Sequence, residues 1–116
     1  MLRRFLLGKL HRAAVTATEL SYEGSLGLDE DLLEAAGLLP GEIVQIFNIN
    51  NGRRFETYLI PMPRGSKAVT LNGAAARLGE VGDRLIVLAY ALAEAPPTPQ
   101  CLELDENNDV VSSTPA

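Results

Sequence analysis

Ser25 follows Gly24 in the run Ser21-Tyr22-Glu23-Gly24-Ser25, and the pair is suited to an uncommon reaction. A serine hydroxyl can add to the carbonyl carbon of the residue before it. The C–N bond breaks, an ester forms, and the serine nitrogen takes up the hydroxyl proton. Loss of the serine Cα proton then expels the ester carboxylate and leaves a dehydroalanine. Tautomerisation and water convert that group to a keto acyl cap and release ammonia. The first step needs backbone held away from its relaxed geometry, which glycine at position 24 tolerates because it has no Cβ. It also needs a donor for the oxyanion. The stretch itself offers none, so the donor must come from elsewhere in the fold. Taken alone, the dipeptide is far more often an ordinary turn.

Other residues bear on the same chemistry. Arg54 carries a planar guanidinium fork that matches the two oxygens of a carboxylate and stays charged. Strand alternation sends Arg53 to the opposite face, so at most one of the pair points into a site. The ordinary alternative for each is a solvated strand charge. Lys9 can add a second positive charge, or simply be exposed. Asn72-Gly73-Ala74-Ala75 reads as a strand end entering a helical turn. Free N–H groups and small side chains there let an anion come close, with a plain turn capped by Asn72 as the alternative. Tyr22 flanks the Gly24–Ser25 bond.

The elements that must position these groups are short. Arg3 to Leu10 and Arg12 to Thr18 suit two opening strands, the second rich in small and β-branched residues. Asp29 to Gly37 is the clearest helix, with Asp29 as cap, acids in the first turn and Gly37 as a left-handed end. Ile43 to Ile49 and Arg53 to Ile60 are strands joined by Asn50-Asn51-Gly52, a hairpin signal. Lys67 to Leu71 and Arg84 to Ala91 are further strands, and Ala74 to Leu78 is a helical turn. Six or so strands with one or two short helices predict a mainly β fold, a small barrel.

Composition removes several classes. Ten Lys and Arg stand against fifteen Asp and Glu. Residues 94–116 hold Glu94, Glu103, Asp105, Glu106 and Asp109 and no Lys or Arg, which is the whole net charge of −5. The body, residues 1–93, is neutral and gives no basic face for nucleic acid. The acidic, Pro-containing segment 94–116 is expected to be a partly disordered tail, with Leu102 to Leu104 as a potential edge strand. The longest apolar run, from Leu85 to Ala93, is too short for the ~20 residues a bilayer needs. No secretory pattern follows the first residues, so a cytoplasmic protein is expected. Cys101 is the only cysteine and His11 the only histidine. Neither a disulfide, a metal site nor a Ser-His-Asp triad is expected, and His11 reads as a structural histidine.

Four stretches together resemble the pyruvoyl-dependent aspartate 1-decarboxylases. They are Gly8-Lys9-Leu10-His11-Arg12, then Tyr22-Glu23-Gly24-Ser25, then Asn51 to Tyr58 (Asn-Gly-Arg-Arg-Phe-Glu-Thr-Tyr), and finally Arg64-Gly65-Ser66 through Asn72-Gly73-Ala74-Ala75-Ala76 to Gly82-Asp83. The likeness runs in order over residues 1–93. It implies a double-psi β-barrel as the catalytic domain, assembled as a homotetramer with active sites between subunits. It implies self-cleavage between Gly24 and Ser25, with Ser25 becoming a covalent pyruvoyl cofactor. That keto group would form a Schiff base with L-aspartate, whose decarboxylation gives β-alanine and CO2 for pantothenate and coenzyme A synthesis.

The resemblance also implies roles. Lys9, Arg54, Thr57, Asn72, Gly73, Ala74 and Ala75 would bind substrate. Tyr58 would return a proton to the carbanion carbon, as a phenol can. Tyr22 and Thr57 would assist processing. Thr57 and Tyr58 are neighbours, so a regular strand points them apart: either the strand is irregular or the two serve different subunits' sites. Gly27, two residues past the serine, is expected to loosen the new amino end. The competing reading is a non-catalytic small barrel that binds a ligand or partner with the Gly24–Ser25 bond intact.

Overall fold

The computed structural model describes residues 1–115. Nine strands lie in one sheet, ordered β2-β6-β3-β5-β4-β7-β1-β8-β9. They are β1 (Arg3–Ala14), β2 (Ala17–Glu19), β3 (Ser25–Asp29), β4 (Ile43–Asn48), β5 (Arg54–Met62), β6 (Val69–Asn72), β7 (Arg84–Ala93), β8 (Gln100–Leu104) and β9 (Val110–Thr114). One α-helix, α1 (Glu30–Ala35), follows β3, and a 3-10 helix (Gly73–Leu78) follows β6.

The opening strands form a single long one. β1 runs to Ala14 through register shifts against β7 between Leu6 and Gly8 and between His11 and Ala13. Arg12 adopts φ 71° at the second shift, the kind of bulge that bends a strand sharply. The bend carries the chain straight from β1 into β2, which pairs parallel with β6 at the far end of the order. The sheet therefore closes on itself. The closed interior is apolar because alternate residues point inward. Val44 and Ile46 of β4 and Leu85, Val87 and Ala89 of β7 are all fully buried, together with Leu10, Leu26, Leu28, Leu59, Val69 and Leu71. Burying each Leu or Val stabilises the fold by roughly 1.5–3 kcal/mol.

β3 was not legible as a strand. Its five residues, Ser-Leu-Gly-Leu-Asp, are buried on both faces, so they show neither alternation nor a run of β-formers. Tertiary pairing makes the strand: β3 lies parallel to β5 and antiparallel to β6. Gly27 does not loosen it. A Cβ at Gly27 would collide with Thr70 Oγ1 and stand 2.8 Å from Met62 Cγ, so glycine there permits tight packing.

The expectation of a partly disordered 94–116 tail is also corrected. β8 pairs with β1 and β9 pairs with β8. Leu102 and Leu104 are 2% exposed, and their burial outweighs the charge and proline content that suggested a loose chain. Asn108 fastens this hairpin: its side chain accepts from Ala14 N (2.7 Å) and donates to Ala14 O and Lys67 O (2.9 Å each). Residue 116, the last of the predicted tail, lies outside the described residues. No helix among the described residues is long and apolar enough to cross a membrane.

Candidate active site

Ser25 marks the point where an exposed segment enters the barrel wall. Residues 21–24 are exposed, and Ser25, the first residue of β3, is 2% exposed. Its hydroxyl is held from two sides. It donates to the Glu23 carbonyl at 3.2 Å and accepts from Asn72 Nδ2 at 3.0 Å. Asn72 is placed opposite Ser25 by the β3–β6 register and is itself 2% exposed. It does not cap the 3-10 helix that follows it. Its amide donates to the Ser25 hydroxyl oxygen instead.

The glycine whose shape matters most here is Gly73, not Gly24. A Cβ at Gly24 would meet nothing within 4 Å, and its φ is not left-handed. Gly73 has φ +64°, and a Cβ there would stand 2.5 Å from Gly24 N and 2.7 Å from both Gly24 Cα and Tyr22 O. The Tyr22–Gly24 backbone thus lies directly on Gly73, at the start of the 3-10 helix. Of the next two residues, Ala74 is exposed and Ala75 buried. Tyr22 is 63% exposed, so its side chain flanks the bond without core packing.

β5 carries three further candidates. It pairs with β4 without a register shift, from Phe47 opposite Arg54 to Ile43 opposite Tyr58. The strand is regular, so Thr57 and Tyr58 point to opposite faces. Thr57 shares the inner face with Leu59 and with Phe55, which packs on the core. Tyr58 shares the outer face with Arg54 and Glu56. Leu26 pairs with Leu59 in the parallel β3–β5 ladder. The ladder begins at that pair; carried back along the same register, Ser25 would fall beside Tyr58 and Gly24 beside Thr57. Ser25, Tyr58, Asn72 and Thr70 therefore share the outer face of β6-β3-β5.

Two candidates lie apart. Arg54 stacks on the Phe47 ring at 4.5 Å. It is four residues from Tyr58, about 13 Å along a strand. Lys9 lies on β1 opposite Leu88 and Cys101, in a shallow groove lined by His11, Cys101, Glu103 and Ser112. His11 Nδ1 is 2.5 Å from Glu103 Oε2, a structural partner of the kind expected. A single chain brings Ser25, Asn72 and Gly73 together, sets Tyr58 on the same face of the neighbouring strand and Thr57 on the opposite face, and leaves Arg54 and Lys9 elsewhere.

Sequence reasoning missed Glu23, whose carbonyl accepts a hydrogen bond from the Ser25 hydroxyl, and Thr70. The available signal for Thr70 was its place two residues before Asn72, on the same strand face.

A closed sheet with this strand order, opened by one long bulged strand, is a double-psi β-barrel with a serine buried at the start of an internal strand. The chain matches a rationally designed double-psi β-barrel protein with TM-score 0.51 at 14% identity, over 68% of this chain and 92% of that one, a likeness of fold alone. The aspartate decarboxylase family model matches residues 1–111. The chain is 55% identical to an aspartate 1-decarboxylase of Maricaulis maris, over 93% of each chain. It is 51% identical to one of Carboxydothermus hydrogenoformans, over 96% of this chain and 91% of that one. The chain belongs to the aspartate decarboxylase family.

Proposed function

We propose that the chain is a self-processing decarboxylase that converts L-aspartate to β-alanine and CO2, in the cytoplasm and toward pantothenate. The observation that carries this reading is the Ser25 hydroxyl, held between the Glu23 carbonyl and the Asn72 amide at the buried end of an exposed segment. In the precursor, Ser25 Oγ adds to the Gly24 carbonyl carbon and the Gly24–Ser25 C–N bond breaks. The hydroxyl proton passes to the Ser25 nitrogen. Departure of the Gly24 carboxylate as the Ser25 Cα proton is lost frees residues 1–24. Gly73 seats the Tyr22–Gly24 backbone while this happens. Thr57, beside Gly24 in the continued register, offers a hydroxyl to the developing oxyanion.

The surroundings of residue 25 fit a pyruvoyl group. The peptide bond to Leu26 holds it within β3, and Asn72 offers a donor for an oxygen on that residue. The group, once present, supplies the electrophilic carbonyl that accepts the substrate amine and the electron pair left by CO2. Tyr58 faces the same side of the sheet and delivers the proton that completes β-alanine. The Asn72–Ala75 segment gives the substrate close backbone approach. Arg54 and Lys9 bind carboxylate from a second chain, because one chain leaves both away from Ser25. A homotetramer with sites between subunits satisfies that need.

Intact-mass analysis of the purified protein beside a β-alanine assay tests this. Expected are fragments 1–24 and 25–116, the larger lacking a free amine, together with turnover. Ser25→Ala should stay one folded, inactive chain. A wild-type chain that turned over aspartate while uncut would end the reading. An uncut and inactive one would favour a ligand-binding barrel.

A further inference from the structure

Thr70 is a buried hydroxyl to which the chemistry above gives no task. It is 5% exposed and sits on β6 opposite Gly27. One residue, Leu71, separates it from Asn72, so both face the Ser25 side of the sheet. Two observations meet at its oxygen. Asn72 Nδ2 lies 3.5 Å from Thr70 Oγ1 and 3.0 Å from Ser25 Oγ, so one amide nitrogen has a hydroxyl for each of its two hydrogens. Independently, a Cβ at Gly27 would collide with Thr70 Oγ1 and stand 2.9 Å from Met62 Sδ. The Thr70 hydroxyl occupies the room that a side chain at position 27 would take, with Met62 closing it on the β5 side.

We infer that Thr70, lodged in the space Gly27 leaves open, is a positioning residue for self-cleavage and acts through Asn72 on Ser25. This rests on the self-processing reading above. The Asn72 amide turns about its Cβ–Cγ bond until its buried hydrogens find acceptors, since an unpaired buried donor is costly. The orientation that satisfies Thr70 also aims the second hydrogen at Ser25 Oγ. Without the Thr70 oxygen that orientation loses the longer of its two acceptor contacts, and fewer precursor molecules hold Ser25 ready to attack Gly24. Thr70 touches no reacting atom.

The test follows uncut precursor against time by intact mass in wild type, Thr70→Val, Thr70→Ser and Gly27→Ala, with the thermal midpoint of each. Thr70→Val keeps shape and burial but removes the oxygen. It should cleave about tenfold more slowly, as expected for one lost buried hydrogen bond, at an undiminished midpoint. Thr70→Ser should recover most of the rate. Gly27→Ala, which crowds the hydroxyl from the other side, should also slow cleavage. Thr70→Val cleaving at the wild-type rate overturns the inference alone. So does Thr70→Ser cleaving as slowly as Thr70→Val, which would make the methyl group responsible. If Thr70→Val does not fold, Gly27→Ala decides: cleavage at the wild-type rate overturns the inference. A wild-type chain that stays whole ends the self-processing reading and this inference with it.

Discussion

Tyr58 separates the two reactions proposed for this chain. Its hydroxyl is assigned to decarboxylation, while breaking of the Gly24–Ser25 bond is assigned to Ser25, Asn72 and Thr57. Tyr58→Phe keeps the ring on the outer face of β5 and removes only the proton source. Cleavage should proceed normally, while β-alanine formation falls by about 10²–10⁴, the usual range for losing a general acid. Intact mass and turnover measured on one sample check both halves. Turnover at the wild-type level would strip Tyr58 of its role. Gly24 and Gly73 make a related point. The glycine next to the reactive bond is sterically unconstrained, whereas the remote one carries the close approach. The steric demand for glycine falls on the remote residue, not on the one beside the bond proposed to break.

At the scale of elements, Asp29 links β3 to its supports. It caps α1 by accepting from Asp31 N at 2.8 Å, and it accepts from Gly65 N at 3.0 Å and Lys67 N at 2.8 Å. Arg64, in the turn between β5 and β6, lies over the same helix, 2.7 Å from Glu34 Oε1. Burial pushes the Asp29 carboxyl upward, but the backbone donors of Asp31, Lys67 and Gly65 and the Lys67 charge outweigh it. The carboxyl is held below the usual aspartate range. A carboxyl depressed in the folded state adds stability above its unfolded pKa of about 3.9, and that contribution fades as pH falls through the folded value. Asp29→Asn should therefore lower the thermal midpoint at pH 7, with the gap to wild type narrowing below about pH 4. A gap unchanged down to pH 2 would show that the charge contributes nothing.

For the whole molecule, the separation of Arg54 and Lys9 from Ser25 is the main structural fact. If each site draws Ser25 from one subunit and Arg54 from another, two inactive variants can repair each other. Ser25→Ala and Arg54→Ala, each inactive alone, should regain measurable β-alanine formation when co-expressed in mixed oligomers. A site wholly within one chain would stay dead in the mixture. The C-terminal hairpin belongs to this scale as well. Asn108 joins it to Ala14 and Lys67, and the Lys67 ammonium meets Asp109 at 2.9 Å. The last strands are thereby tied to the turn that feeds β6, the strand bearing Thr70 and Asn72.

Much was decided locally. The Asp29 cap, the left-handed Gly37 and Gly52, the β4–β5 hairpin and the strands β6 and β7 follow from residue types acting within a few positions. The chemistry proposed for the Gly24–Ser25 pair is also conceivable locally, since bond-making between neighbours needs no distant partner, but the dipeptide alone is far more often a turn. What sequence left open is what depends on contact between distant segments. β3 exists because β5 and β6 pair with it on both sides, and residues 100–114 form the β8–β9 hairpin because Leu102 and Leu104 find β1 and the core. Asn72 turns to Ser25 instead of capping its own helix because β6 lies against β3. A chain's local preferences are set by covalent neighbours, but a hydroxyl held by an amide forty-seven positions away exists only once the barrel has closed.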